Sequence, residues 1–333
     1  MKQNSIPPGF HVHKYHALGN DYIVVDPKEL VLSLSAATII AICDRNLGVG
    51  SDGILCGPLE SLDEVSAHPE SKPADFFLRI FNPDGSEAEK SGNGLRIFSL
   101  YLYETGRVKH EPFYIGTKGG VVESRVLPQS NHPGTDEAAT IGEVESTASS
   151  IDDGIRSIEV AMGEPRFFPG PLEMTFDGIS FQTVRVSMGN PHCVLLGRTP
   201  SEELARRIGP LVERHPSFPH RTNAQFLEII DRRNIRIEIW ERGAGYTLAS
   251  GTSSCAAASA ARNLGLVDDV VTVHMPGGEL QIDMRGGNVR MTGPAVRTFD
   301  ALLSEQLLRL ARAQPGLISG HGDYSRKNRS ARG

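Results

Sequence analysis

At 333 residues, with 34 Lys+Arg against 40 Asp+Glu and a formal net charge of −6, the chain exceeds what one core usually covers and predicts two domains. Hydrophobic residues at 39% and charged ones at 22% describe ordinary globular composition, and the mildly acidic balance offers no basic face for nucleic acid. No run approaches the roughly 20 apolar residues of a membrane helix, and the N-terminal stretch lacks the apolar core of a secretory signal. Four scattered cysteines (Cys43, Cys56, Cys193, Cys255) without CxxC spacing predict neither a disulfide framework nor a zinc site. A reduced, cytoplasmic protein without a metal is the expectation.

In chain order, the first segments read as a leader carrying His11, His13 and His16, then a strand and loop, HALGNDYIVVD, around Gly19-Asn20. The H-x-H spacing is weak material for a metal site, because no carboxylate accompanies it. Residues 59–75 are polar and read as an inserted loop. Asn82-Pro83-Asp84-Gly85-Ser86 has turn chemistry. Ser91-Gly92-Asn93-Gly94 then opens a helical run ending at Gly106, with Leu95, Phe98 and Leu102 on one face and Ile97 and Tyr101 broadening it. Gly119-Gly120 precedes the strand-like VVESRV, and residues 128–152 have loop composition.

The same order then recurs. VSMGNPHCVLL surrounds Gly189-Asn190, Ile235, Ile237 and Ile239 alternate with polar residues as in a strand, and Glu241-Arg242 stands at that strand's end. Ser250-Gly251-Thr252-Ser253 opens a run of small residues closing at Gly265, 15 residues from its serine, as Gly106 is from Ser91. Gly277-Gly278 precedes ELQIDMRGGNVRMTG, a hairpin turning at Gly286-Gly287. The basic, Gly/Ser-rich end, 313–333, reads as a frayed tail.

Three matched features in one order predict an internal duplication. The fold class expected is therefore α/β (α+β), with two pseudo-symmetric domains, each a strand-rich, barrel-like sheet around a central helix. The boundaries are 1–150 plus a return segment 293–312, and 151–292. A helix N-terminus carries unpaired N–H groups and partial positive charge. Two such termini facing one cleft would receive a carboxylate from both sides.

These segments carry a family resemblance. HALGNDYIVVD, NPDGSEAEKSGNGLR, VSMGNPHCV and ERGAGYTLASGTSSCAAA are similar to the motifs of the diaminopimelate epimerases, over about Lys14 to Arg297. The resemblance implies a cofactor-independent enzyme, working as a homodimer, that interconverts LL- and meso-diaminopimelate. That step leads toward lysine and peptidoglycan, and the partner is a small-molecule amino acid rather than nucleic acid or membrane. It implies substrate contacts at Asn20, Asn82, Gly92, Asn93, Asn190, Asn223, Glu241, Arg242, Gly251 and Thr252. Inverting Cα needs two acid–base groups on opposite faces. The resemblance places them at Ser91 and Ser250, with His192 and Glu241 tuning them.

The family's two bases are cysteines, and this chain has serine at both positions. A hydroxyl is a much weaker acid than a thiol, so the substitution touches the step that moves the proton. Cys193 and Cys255 read as packed residues rather than substitutes, and Lys90 reads as a surface lysine. The rival reading is an epimerase-like protein that binds an amino acid without inverting it, or a racemase of another amino acid. A serine hydrolase is disfavoured because neither serine lies in a G-x-S-x-G elbow.

Overall fold

The computed structural model describes residues 10–29, 34–62, 73–128, 156–170 and 172–313. The expected loops at 59–75 and 128–152 lie largely outside the described residues, and the tail at 313–333 almost wholly so.

The first half runs β1 (Phe10–Ala17), β2 (Asn20–Val25), α1 (Ala36–Cys43), β3 (Ile54–Leu59), β4 (Phe76–Phe81), β5 (Glu87–Ala88), α2 (Gly92–Glu104), β6 (Phe113–Thr117), β7 (Gly120–Val126) and β8 (Arg156–Gly163). After β9 (Arg166–Phe168) and β10 (Glu173–Phe176) the order repeats. It runs β11 (Ile179–Ser187), β12 (Pro191–Leu196), α3 (Glu202–Glu213), β13 (Asn223–Asp231), β14 (Asn234–Glu241), β15 (Gly245–Thr247), α4 (Gly251–Asn263), β16 (Val270–Met275), β17 (Gly278–Asp283) and β18 (Val289–Leu303). The described chain ends on α5 (Glu305–Ala313).

Pairing repeats as faithfully as order does. β2 and β3 are parallel, as are β12 and β13; β4 and β6 are parallel, as are β14 and β16. Each set closes on itself. The first barrel runs β1–β2–β3–β4–β6–β7–β8–β18 and returns to β1. The second runs β11–β12–β13–β14–β16–β17–β18–β8, and β9 carries the β8 segment back to β11. Closure pairs the long barrel strands on both sides, so among the described residues the one-sided strands are the short β5, β9, β10 and β15. Both barrels share β8 and β18, and β18 leaves β8 at Ala295 to pair with β1 from Val296 onward.

The expected central helices are found. α2 fills the first barrel with Leu95, Ile97, Phe98, Leu100, Tyr101 and Leu102, all buried. α4 is buried over Ser253–Ala261 on alanines, serines and Cys255, so its slim cylinder fits within strands that approach closely. The glycines at 106 and 265 have φ of 73° and 72°, the left-handed geometry that ends a helix.

Three details differ from the sequence reading. Each barrel also carries an outer helix: α1, with α5, covers Ile23, Val25, Ile54 and Leu303, and α3 covers Cys193, Leu195, Ala224 and Phe226. The histidines at 11, 13 and 16 lie in β1 rather than in a leader, and His13 bonds Asp300 at 2.7 Å. Lys90 is half-buried rather than a free surface lysine, and its Nζ donates to the Met162 carbonyl at 3.1 Å.

Candidate active site at two facing helix N-termini

Ser91 and Ser250 are the N-caps of α2 and α4, with nearly the same backbone: φ −138°, ψ 118° and φ −148°, ψ 124°. Each hydroxyl oxygen accepts from the amide three residues on, Gly94 N at 3.0 Å and Ser253 N at 3.4 Å. The amides of residues 92, 93, 251 and 252 therefore open the two helices with no acceptor in their own turn. The two first turns abut. A methyl added at Gly92 would stand 3.5 Å from the Gly251 Cα, and one added at Gly251 would stand 3.4 Å from the Gly92 Cα. What a side chain would crowd at either position is Met291, whose Sδ lies 2.8 Å from a methyl added at Gly251 and whose Cε lies 3.2 Å from one added at Gly92.

A chain of polar contacts runs from the core to this junction. The Arg96 guanidinium, fully buried, donates to Asn93 Oδ1 at 2.9 Å, to the Pro294 carbonyl and to Met291 Sδ. Asn93 Nδ2 donates to Asn20 Oδ1 at 3.0 Å and lies 3.4 Å from the Ala249 carbonyl. Asn20 Nδ2 donates to Asp52 Oδ2 at 2.9 Å, and Asp52 is held by Arg45 at 2.7 Å. Burial pushes the Arg96 pKa down to about 10, and among the described residues no carboxylate pairs with it. A cation left without an anion beneath two helix N-termini favours an anionic ligand there.

The second half supplies Glu241, His192, Asn190 and Asn223. Burial raises the Glu241 carboxyl pKa; the Ser250 and Thr247 hydroxyls, which face it, lower it by less. Thr247 Oγ1 is buried without a partner at hydrogen-bonding geometry. His192 is held neutral: burial takes its pKa down to about 3, opposed by Gln225 and assisted by the charge of Arg242. Its Nε2 lies 2.9 Å from Asn190 Oδ1, and Gln225 Nε2 continues the line to Ser253 Oγ at 3.0 Å. Asn223 donates to the Pro191 carbonyl at 3.0 Å and accepts from the Arg242 amide at 2.8 Å, which fixes the Glu241–Gly243 turn. Thr252 is half-buried in the first turn of α4. Asn82 follows β4 in a tight turn, bonded to Ser86 Oγ at 2.9 Å, and makes no hydrogen bond to the other site residues among the described ones.

Four participants were not singled out by sequence reading. Asp52 holds Asn20, and Gln225 lies between His192 and Ser253. Glu213, at the end of α3, accepts from Trp240 Nε1 at 2.8 Å and the Gly243 amide at 3.2 Å, anchoring the turn that carries Arg242. Tyr22 places its hydroxyl 3.3 Å from Ser91 Oγ. The signal for Tyr22 lay in the repeat. Matching Gly19-Asn20 to Gly189-Asn190 sets Tyr22 opposite His192, and matching the strand pairs Ile80–Ala88 and Ile239–Thr247 sets Asn82 opposite Glu241. No metal-binding group of three or more His, Cys, Asp or Glu occurs among the described residues.

Two barrels with central helices meeting end to end define an epimerase-type fold. Solved structures with that fold include a hydroxyproline epimerase from Agrobacterium vitis with bound trans-4-hydroxy-L-proline (TM-score 0.60, 13% identity, 89% of this chain and 92% of that one). A phenazine biosynthesis protein of the PhzF family from Bacillus anthracis is also similar (TM-score 0.59, 18% identity, 89% and 99%). At the level of sequence, the diaminopimelate epimerase family model matches residues 12–147 and 184–298. Diaminopimelate epimerase 2 of Nostoc sp. is 43% identical over 312 residues, covering 90% of this chain and 97% of the relative. The diaminopimelate epimerase of Moorella thermoacetica is 37% identical over 298 residues, covering 87% and 97%. The chain belongs to the diaminopimelate epimerase family.

Proposed function

We propose that the chain interconverts LL- and meso-diaminopimelate by moving one proton off Cα and another on from the opposite face, with Ser91 and Ser250 as the residues that touch that carbon. The observation that carries this reading is the pair of matched N-cap hydroxyls on abutting helices. The α-carboxylate is bound by the free amides of residues 92, 93, 251 and 252, and the buried Arg96 charge favours it further. That placement brings Cα between the two hydroxyls, and fixed donors on the carboxylate stabilise the electrons left behind when the proton departs. Asn20, Asn190 and Asn223, each orientated by a neighbour, and Arg242 at the rim are the remaining substrate contacts.

A serine alone is a poor base, because its alkoxide is scarcely populated at neutral pH. Glu241 answers this on one face: as Ser250 Oγ takes the Cα proton, its own proton passes to the Glu241 carboxylate, whose raised pKa suits it to hold one. His192 remains neutral and orientates Asn190 instead of carrying charge. No cofactor takes part in this reading, which also holds residues 1–150 with 293–312 and residues 151–292 to be two lobes of a cytoplasmic homodimer.

The test is proton NMR of LL-diaminopimelate with the protein in D₂O. The expected outcome is loss of the Cα proton signal together with appearance of the meso isomer, faster after Ser91→Cys and Ser250→Cys. Binding without any exchange, in the serine and the cysteine proteins alike, would overturn the reading in favour of an amino-acid-binding protein.

A further inference from the structure

We infer that the Tyr22 phenol is the proton partner of Ser91, so that the two faces of the site are chemically unlike, with a carboxylate behind Ser250 and a phenol behind Ser91. The inference rests on the epimerase reading and goes beyond it by assigning a residue to the second face.

The duplicated frame makes the argument. In the second half the two positions flanking the capping serine hold His192 and Glu241. In the first half the matched positions hold Tyr22 and Asn82. An amide neither gives nor takes a proton, so the first half lacks the carboxylate that serves Ser250. Lys90, next to Ser91 in sequence, has its Nζ on the Met162 carbonyl. Among the described residues that leaves Tyr22 as the ionisable group hydrogen-bonded to Ser91.

Its placement is well determined. Tyr22 sits in β2 opposite Tyr15 and is 7% exposed. The ring lies against Gly53, where an added Cβ would be 2.7 Å from Cε1, so this packing requires glycine at 53. Among the described residues the phenol oxygen has Ser91 Oγ as its hydrogen-bond partner, at 3.3 Å. Ser91 Oγ already accepts from the Gly94 amide. If Tyr22 also donates to it, the serine's single proton is free to point at substrate. The contact is longer than a strong O–H···O bond and shortens once charge develops on Ser91.

The step balances. The Cα–H bond breaks toward Ser250 as the Ser250 proton moves to Glu241. On the other face the Ser91 proton bonds to Cα as the Tyr22 proton moves to Ser91. Glu241 ends neutral and Tyr22 ends as phenolate, and either the reverse turnover or exchange with water restores them. Burial, chiefly, holds the phenol up at about 12, with the Glu241 charge adding to it. Protonation of Glu241 removes that repulsion as Tyr22 needs to ionise, so the two transfers assist each other.

The experiment compares four proteins on LL- and meso-diaminopimelate in D₂O: the natural chain, Tyr22→Phe, Ser91→Cys, and the double variant. Phenylalanine keeps the ring and its packing. In the Ser91 protein, Tyr22→Phe is expected to lower kcat about 100-fold with KM nearly unchanged, the scale of one lost acid–base group. In the Ser91→Cys protein the same change is expected to alter kcat less than about threefold, because a thiol at a helix N-terminus ionises unaided. With one of the two isomers, Tyr22→Phe should also let deuterium enter Cα faster than inversion occurs. Equal losses in both backgrounds, or no loss in the Ser91 protein, would overturn the inference while leaving the epimerase reading intact. Absence of exchange in all four would overturn both.

Discussion

His192 has a measurable consequence for stability. Its imidazole is 2% exposed, and burial lowers its pKa from the ordinary 6.5 to about 3, so the folded chain holds it neutral at pH values where the unfolded chain protonates it. Because the folded pKa is depressed, the stability it confers is complete above about pH 6.5. It declines as pH falls, by about 1.4 kcal/mol per unit, until the folded pKa near 3 is reached. Going from about pH 7.5 to about pH 5 therefore removes about 2 kcal/mol through this one group. His192→Gln keeps a polar side chain of similar reach and abolishes the titration. Its own effect on packing is independent of pH, so it cancels when slopes are compared. Urea unfolding at several pH values should show the natural chain losing about 2 kcal/mol more than the variant over that interval. Parallel curves for the two proteins would refute the claim that the site holds a neutral imidazole, and with it the assignment of His192 as an orientating group.

Other perturbations have separate signatures. Gly251→Ala would place a methyl 2.8 Å from Met291 Sδ and at ordinary contact distance, 3.4 Å, from the Gly92 Cα, so the methionine end must shift while the facing backbone need not. A loss of about 1–3 kcal/mol in denaturant unfolding is expected from the forced shift of Met291, with a fall in epimerisation because the methyl crowds the amides that open α4. Arg96→Met removes a buried charge whose retention at neutral pH costs about 3 kcal/mol, so the melting temperature should hold or rise while KM increases at least tenfold; a variant that loses stability and keeps its KM would contradict this. Glu213→Gln offers only one acceptor to Trp240 and the Gly243 amide, and should raise KM more than it lowers kcat by loosening the Arg242 turn, as steady-state kinetics would show.

The sequence was informative wherever a local rule repeated. Two serines, each followed after 15 residues by a glycine of left-handed conformation, marked both central helices to within a residue or two. The alternation at Ile235, Ile237 and Ile239 marked β14. Closure of the barrels was less legible, since it depends on β8 and β18 serving both, and no local pattern says that one strand will leave β8 at Ala295 for β1. Of the outer helices, α1 escaped notice because it is short and almost wholly apolar, without the polar face that marks an amphipathic helix, and α3, though amphipathic, carries Pro210 in its interior, which reads as a breaker. In the site, most residues at motif positions were visible, Tyr22 being the exception, whereas Asp52, Glu213 and Gln225 reach it from segments outside the motifs through side-chain hydrogen bonds. Lys90 was misjudged because its neighbour Met162 is 72 residues away. Local sequence spoke to the caps; the partners of those caps are tertiary facts.

The serines themselves can be placed on an energy scale. A helix N-terminus stabilises an anion by about 0.3–2 kcal/mol, which lowers a pKa by little more than one unit. A cysteine, starting near 8.5, then ionises appreciably at neutral pH. A hydroxyl does not, so a site with serine caps cannot operate through pre-formed anions as a thiol site can. Each serine must instead exchange protons in concert with a neighbour, taking one as it gives one. The neighbours must be ionisable and close, and to run the reaction they must begin in opposite protonation states. On the proposed reading, Glu241 near Ser250 and Tyr22 near Ser91 meet those conditions, whereas the matched positions in the opposite halves hold the amide of Asn82 and the neutral imidazole of His192. On that reading the duplicated frame keeps two equivalent caps with one donor and one acceptor behind them. In a serine-capped site that inequality, more than the symmetry, sets the direction in which the first proton moves.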